Sequence, residues 1–374
     1  MINFGRTNTD QFALWWRNID KLLFISIIFL MFLGIFFAYT STSNIASERI
    51  YKTDYLLIIK HILFALLSFL ILTLLSFLDA KQIEKYCILG FIITAFLLLL
   101  VLILGVEVKG SKRWINLIFF RFQPVEIYKP FFVLLCSLII SNSQIGDLKL
   151  RIFYSFCILF FSLLLLLNQP DVGQSLLIFS VWLILIFVSG ISIALIISLG
   201  LAIFIGIAST LLLFNERFSY IFRRLKTFID PSKGDNLQTQ KALESIKQGG
   251  FTGRGIGEGV LKERVPEAHT DFVLAVIGEE FGILMILIIF LTITFIFLRI
   301  FTQFSIENNS FRKLALVGLS CLVYLQSIIN LGVTLNILPN KGMTFPFISY
   351  GGSSMIGCGI IFGILLCFTK RKLS

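Results

Sequence analysis

From Val172 to Phe214 the chain runs for 43 residues without one Asp, Glu, Lys or Arg. A helix needs about 20 apolar residues to cross a hydrocarbon core some 30 Å thick. The run is therefore too long for one crossing and suits two, with a tight turn at Ser189-Gly190. Comparable apolar stretches lie near 22–40, 56–78, 86–106, 125–141, 152–168, 172–189, 191–214, 271–298, 314–336 and 346–369. Lipid offers no partners to backbone N–H and C=O groups, so such segments must be helices that bond internally. The expected class is an all-α polytopic membrane protein: about ten transmembrane helices, with one long extracytoplasmic loop between the seventh and eighth. Residues 1–374 would form a single integral membrane domain, 215–270 being that loop. Composition agrees, with 57% hydrophobic and 14% charged residues where soluble domains carry about 25% charged ones. Span four holds two charges, Glu126 and Lys129, in its first turns.

Several classes fall away. The six cysteines sit inside apolar runs without CxxC spacing or a histidine neighbour, so neither disulfides nor a structural metal is expected. The net charge of +11 is spread over loops between spans, where head groups or substrates are met, and no nucleic-acid motif appears. Glycines 249–259 fail the GxGxxG register and precede no GK[ST], so they read as a flexible turn carrying Arg254 rather than a nucleotide site. The apolar run after Lys21 has no small-residue cleavage site and is taken as an uncleaved first span. Basic residues at Arg17, Lys21 and 370–372 put both termini in the cytoplasm. Yet more of the 32 Lys and Arg then fall outside than inside, which invites an anionic ligand on the outer face.

Four polar stretches could carry chemistry. In Lys262–Gly282, KERVPEAHTDFVLAVIGEEFG, Thr270 suits a helix N-cap and Asp271 the first turn, where the dipole favours a carboxylate. Read by itself, Asp271 could equally be a cap and Glu279-Glu280 an interfacial anchor. KGSKRWINLIFFRFQPVEIYKP clusters Lys112, Arg113 and Trp114, with Pro124 at a helix start and Glu126 and Lys129 three apart on one face. NQPDVGQS repeats the pattern, Asp171 falling in a first turn after Pro170. LPNKGMTFPFISYGGSS places Pro346 at the start of the last span, with Gly351 to Ser354 as a small-residue packing surface.

PEAHTDF followed by GEEFG, KGSKRWI, QPVEIYK, QPDVG and KGMTFPFISYGGSS together resemble the FtsW/RodA/SpoVE (SEDS) family of peptidoglycan glycosyltransferases. The wording of the last two is closest to the FtsW-type division branch, and Val125 stands where the family usually has serine. The resemblance implies septal polymerisation of lipid II during cell division, in a bacterial cytoplasmic membrane at the division septum. It implies Asp271 as the catalytic residue, with Lys112, Arg113, Trp114, Glu126, Lys129, Glu267 and His269 at the substrate. His269 would position more than act as base. Implied partners are a single-span class B penicillin-binding transpeptidase and other division proteins, and no nucleic acid. No cofactor is named by the sequence; whether a divalent cation assists at the pyrophosphate is left open. Two alternatives remain at this point, a lipid II flippase or transporter and a non-catalytic division scaffold.

Overall fold

The computed structural model describes residues 11–42, 52–108, 111–117, 120–213, 222, 228, 237–259 and 268–370. Each expected apolar run is a helix. Seven are long and apolar enough to cross a membrane, and three more are shorter apolar helices. In chain order they are α2 (Lys21–Thr42), α3 (Lys52–Phe77), α4 (Ala80–Leu104), α5 (Pro124–Ser141), α6 (Leu148–Asn168), α7 (Val172–Val188) and α8 (Ile193–Leu213). The set closes with α10 (Val273–Ile306), α11 (Ser310–Thr334) and α12 (Gly352–Phe368). The fold is that of a polytopic helical membrane protein. The 43-residue run divides at Ser189-Gly190, where Gly190 takes φ +93°.

The sequence reading lacked some elements. A short amphipathic helix, α1 (Gln11–Asn18), precedes the first span; Trp15 donates Nε1–H to Ser76 Oγ at 2.9 Å and stacks on Phe77. Three short antiparallel strands, β1 (Val106–Val108), β2 (Ser111–Asn116) and β3 (Arg121–Phe122), fill the link between α4 and α5. A further short helix, α9 (Leu237–Gly249), lies in the segment between α8 and α10.

Burial separates an inner set from an outer one. In α5 and α11, 72% of the most apolar window is buried, against 22% in α3 and 28% in α10. From Ser353 to Phe368 every residue of α12 is buried. Exposed leucines and isoleucines on α3, such as Ile59, Leu66 and Leu74, are then a lipid-facing surface. α12 lies closest to α3: a Cβ at Gly359 would come within 2.6 Å of Ser68 O, so GIIFG (359–363) is the small-residue contact. Gly352, where a Cβ would lie 2.6 Å from the Phe64 ring of α3, begins that contact, and it continues past the expected Gly351 to Ser354.

The glycine-rich stretch 249–259 is a strap, not a loose turn. α10 breaks at Gly282 (φ 77°, ψ 178°), which frees backbone groups inside an apolar span. The strap takes them up. Arg254 and Gly255 N–H donate to the carbonyls of Glu279 and Glu280 at 3.0 and 3.1 Å, and Ile283 and Leu284 N–H donate to Gly250 and Phe251. A break in a membrane helix is tolerated where neighbouring groups re-satisfy it in this way. Backbone against backbone leaves no room for a side chain: a Cβ on Gly253 (φ +83°) would meet Glu280 O at 2.1 Å.

Gly253→Ala should therefore lower thermal stability in detergent clearly more than Gly190→Ala. At Gly190 the same left-handed conformation meets nothing within 4 Å, leaving only the conformational cost of about 1–2 kcal/mol. Equal melting shifts for the two variants would refute the strap.

Candidate functional site

The α4–α5, α6–α7, α8–α10 and α11–α12 connections all lie at the end of the bundle opposite Phe77, where α1 and Lys370 pack. There they enclose a cavity of about 650 Å³. Its wall takes Lys60 and Phe64 from α3, Arg113 and Trp114 from β2, and Gln123 and Glu126 from the start of α5. It also takes Gln238 from α9, Thr270 and Asp271, and the loop and helix start at 340–344 and 350–354. Four cations (Lys60, Arg113, Arg121, Lys341) and two acids (Glu126, Asp271) line it. Burial pushes the Lys341 ammonium below the usual lysine range and the Tyr350 hydroxyl above the tyrosine one.

Asp271 does not begin a helix. Residues 268–272 form turns, Phe272 holds the N-cap position and α10 starts at Val273, so neither Thr270 nor Asp271 plays its expected part. The reason is a tertiary contact. The Asp271 carbonyl accepts from Asn330 Nδ2 at 2.9 Å, and Ala275 N–H bonds to Phe272 O. The carboxylate meets the loop before α12: a Cβ on Gly342 would lie 3.3 Å from Asp271 Oδ2. Its partner in the motif, His269, sits beside Tyr350, whose N–H donates to His269 O at 2.8 Å. It borders a smaller apolar recess with Val273 and Ile348 rather than the main cavity.

Pro346 likewise does not start α12. Residues 346–348 make a turn with Phe347 at φ 61°, clamped by Ser349, whose Oγ accepts from Phe345 N–H at 2.8 Å. The helix begins at Gly352, and the buried Ser353 and Ser354 bond to neighbouring segments of the cavity wall. Ser353 Oγ accepts from Gln123 N–H at 2.8 Å, and Ser354 shares a hydrogen with Thr344 at 2.7 Å.

Arg113 reaches the cavity from β2 and is anchored behind. Its guanidinium donates to the Pro170 carbonyl and pairs with Asp171 Oδ1 at 3.5 Å. Asp171 is the N-cap of α7 rather than a first-turn residue, accepting from Gln174 N–H at 3.3 Å. Lys112, next along the strand, points away: it is exposed, registers with Glu107 and is absent from the cavity wall.

Glu126 and Lys129 do pair, Nζ to Oε2 at 2.8 Å, and both are buried. Only Glu126 reaches the cavity. Lys129 lies behind it, 1% exposed, and also donates to Gln326 Oε1 at 2.9 Å, while Gln174 donates to Glu126 Oε1 at 3.0 Å. Glu267 lies outside the described residues. Among the described residues no group of three or more His, Cys, Asp or Glu is placed to hold a metal ion.

Residues outside the expected site set complete the wall. Lys60, Arg121 and Lys341 are cations of the cavity, and Gln326 and Asn330 on α11 hold it from behind. Two amides four residues apart in an apolar span were the available signal, since polar groups within spans mark functional surfaces.

The family model for FtsW/RodA/SpoVE, described as cell cycle protein, matches residues 20–373. The chain belongs to that family. The SEDS chain is 33% identical over 370 residues to the probable peptidoglycan glycosyltransferase FtsW of Caulobacter vibrioides, covering 99% of this chain and 94% of that one. Its identity to the protein of the same description from Haemophilus influenzae is 34%, over 93% and 89%. Among solved structures it resembles one described as structural coordination of polymerization and crosslinking by a peptidoglycan synthase complex. There the TM-score is 0.74 at 24% identity, over 94% of this chain and 97% of that one. The rod shape determining protein RodA of Thermus thermophilus gives 0.69 at 22% identity, over 95% and 97%.

Removing one partner of the Glu126–Lys129 pair leaves a buried charge uncompensated. Lys129→Met should lower stability by about 3–5 kcal/mol, and adding Glu126→Gln should recover most of it. Thermal unfolding of the purified single and double variants measures this; additive losses would contradict it.

Proposed function

We propose that this SEDS chain is an inverting peptidoglycan glycosyltransferase that polymerises lipid II into glycan strands for septal wall synthesis. The observation that carries the reading is the sharing of one cavity by the Asp271 carboxylate and the cations Arg113, Lys341, Lys60 and Arg121, the other acid, Glu126, being paired with Lys129. In the reaction an acceptor sugar hydroxyl attacks the anomeric carbon of a donor. A new glycosidic C–O bond forms, and the bond from that carbon to the polyprenyl pyrophosphate breaks. The hydroxyl proton passes to Asp271, acting as general base. Negative charge grows on the departing pyrophosphate, where fixed cations in a partly desolvated cavity stabilise it most.

The residues divide the work. Arg113 offers its guanidinium with its orientation set by Asp171 and Pro170 O. Lys341 lines the same cavity from the loop whose Gly342 stands against Asp271, so in this reading it meets the pyrophosphate. Glu126 takes the cavity floor with its charge balanced by Lys129 behind. Lys129 acts on substrate only through Glu126. Trp114 supplies an apolar face for the sugar or lipid portion, and Glu267 and His269 flank the base in sequence. That the polar groups gather at helix ends of one face favours catalysis over flipping, for which sites near the midplane are usual.

The same reading sets the surroundings. The termini face the cytoplasm, the cavity faces outward from the bacterial inner membrane at the septum, and a single-span class B penicillin-binding transpeptidase docks beside it to cross-link the product. A cysteine-free version carrying Gln248→Cys, on α9, should react with an impermeant thiol reagent on intact spheroplasts. Asn308→Cys, between α10 and α11, should react only after lysis; the reverse pattern refutes the orientation.

Asp271→Asn should reduce polymerisation of purified lipid II, with the transpeptidase present, by at least the ~10²–10⁴-fold that general base catalysis supplies. Protein yield and lipid II affinity should hold. Turnover near wild type would refute the assignment.

A further inference from the structure

The span α11 reads in sequence as ordinary apolar helix, yet it touches both halves of the site. Asn330, 1% exposed, uses both hydrogens of Nδ2: one on the Asp271 carbonyl at 2.9 Å, the other on the Met343 carbonyl at 2.6 Å. Both partners are carbonyls and accept only, which fixes which end of the amide faces them. Its Oδ1 is buried without a hydrogen-bond partner among the described residues. A buried unsatisfied acceptor is unfavourable, so the amide serves its two donors rather than its own solvation.

We propose that Asn330 is a positioning residue for the base of the polymerase, setting Asp271 against the loop that carries Lys341 and Gly342. The inference rests on Asp271 accepting the hydroxyl proton. Three features carry it. Asp271 precedes α10, so no helical ladder holds its carbonyl; Asn330 does. The facing loop is hung from the same helix, Met343 O on Asn330 and Thr344 O on Gln326 Nε2 at 2.8 Å. Gln326 also receives Lys129, one turn away. Successive turns of one rigid, buried helix therefore fix base, loop and floor, about 6 Å apart along its axis. Misplacement by about 1 Å can cost some 10²-fold in rate, which gives such a clamp its value.

The test is steady-state polymerisation of lipid II by purified variants with the transpeptidase partner. Asn330→Leu removes both donors. Asn330→Gln keeps both but moves them by one methylene. Positioning predicts that each lowers kcat by roughly 10–100-fold with KM for lipid II little changed. A role in folding alone predicts that Asn330→Gln, with its donors intact, keeps wild-type kcat. In a double-mutant cycle with Asp271→Glu, the Asn330 loss should shrink, because both act at one point. If Asn330→Leu fails to accumulate, Gly342→Ala approaches Asp271 Oδ2 from the other side and should reproduce the kcat loss. Wild-type kcat in Asn330→Gln, a loss confined to KM, or losses that multiply across the cycle would overturn the inference. Full activity of Asp271→Asn would instead sink the base assignment, and with it this proposal, so the two failures are told apart.

Discussion

A membrane helix that breaks must find partners for the backbone groups the break releases, and in this SEDS chain the partner is the strap 249–259. It bonds across Gly282 from both sides, two N–H groups given and two carbonyls offered. The short half of α10 before the break is thereby held by the long loop as well as by the bundle. Asp271 stands at the head of that half-helix. The described part of the loop thus belongs to the frame of the cavity: its glycines build geometry, and Asn340 Nδ2 donates to Gln238 Oε1 of α9 at 3.0 Å on the cavity wall.

Charge in the bundle is sorted by depth. Glu126 and Lys129 neutralise each other in contact, with Gln174 and Gln326 taking further bonds, as a buried pair requires if it is not to be costly. Nearer the open end, Lys60, Arg121 and Lys341 share a wall with Asp271 and leave cationic excess facing a ligand. A self-satisfied pair is a poor phosphate receptor, since binding would first have to break it. With Lys129 behind Glu126, the cations that reach the cavity are those of the rim, to which the proposed function gives the pyrophosphate.

The spans were legible because lipid leaves the backbone few choices: uncharged runs of sufficient length became helices close to their expected limits. The motif loops were legible as polar punctuation, and the resemblance assigned their place. What sequence periodicity could not convey is non-local. The start of α10 shifts past Asp271 because a side chain 59 residues away takes its carbonyl. Pro346 fails to open α12 because Phe347 adopts a left-handed turn closed by Ser349. Lys112 and Arg113 are neighbours with like charge, and only the pleat of β2 decides which one faces the cavity. The strap resembled a flexible turn because glycine is equally the residue of looseness and of close backbone approach.

The excess of basic residues on the side away from the termini now has a structural correlate. At the termini face, charge is spent on the fold: Arg299 Nε binds Asp20 Oδ2 at 2.8 Å, and Lys370 Nζ caps the Leu78 carbonyl at 2.9 Å. At the opposite face Lys60, Arg121 and Lys341 converge on a cavity instead. The bias that orients spans acts on positive residues within about 15–20 residues of their ends, so under the proposed orientation cations placed there carry a cost in topology. A pyrophosphate ligand offsets that cost only if the cations meet at one point. They line the same cavity as Asp271, and under the proposed mechanism the leaving charge would appear there. Binding the anion and stabilising its formation are then one electrostatic arrangement, held from behind by α11.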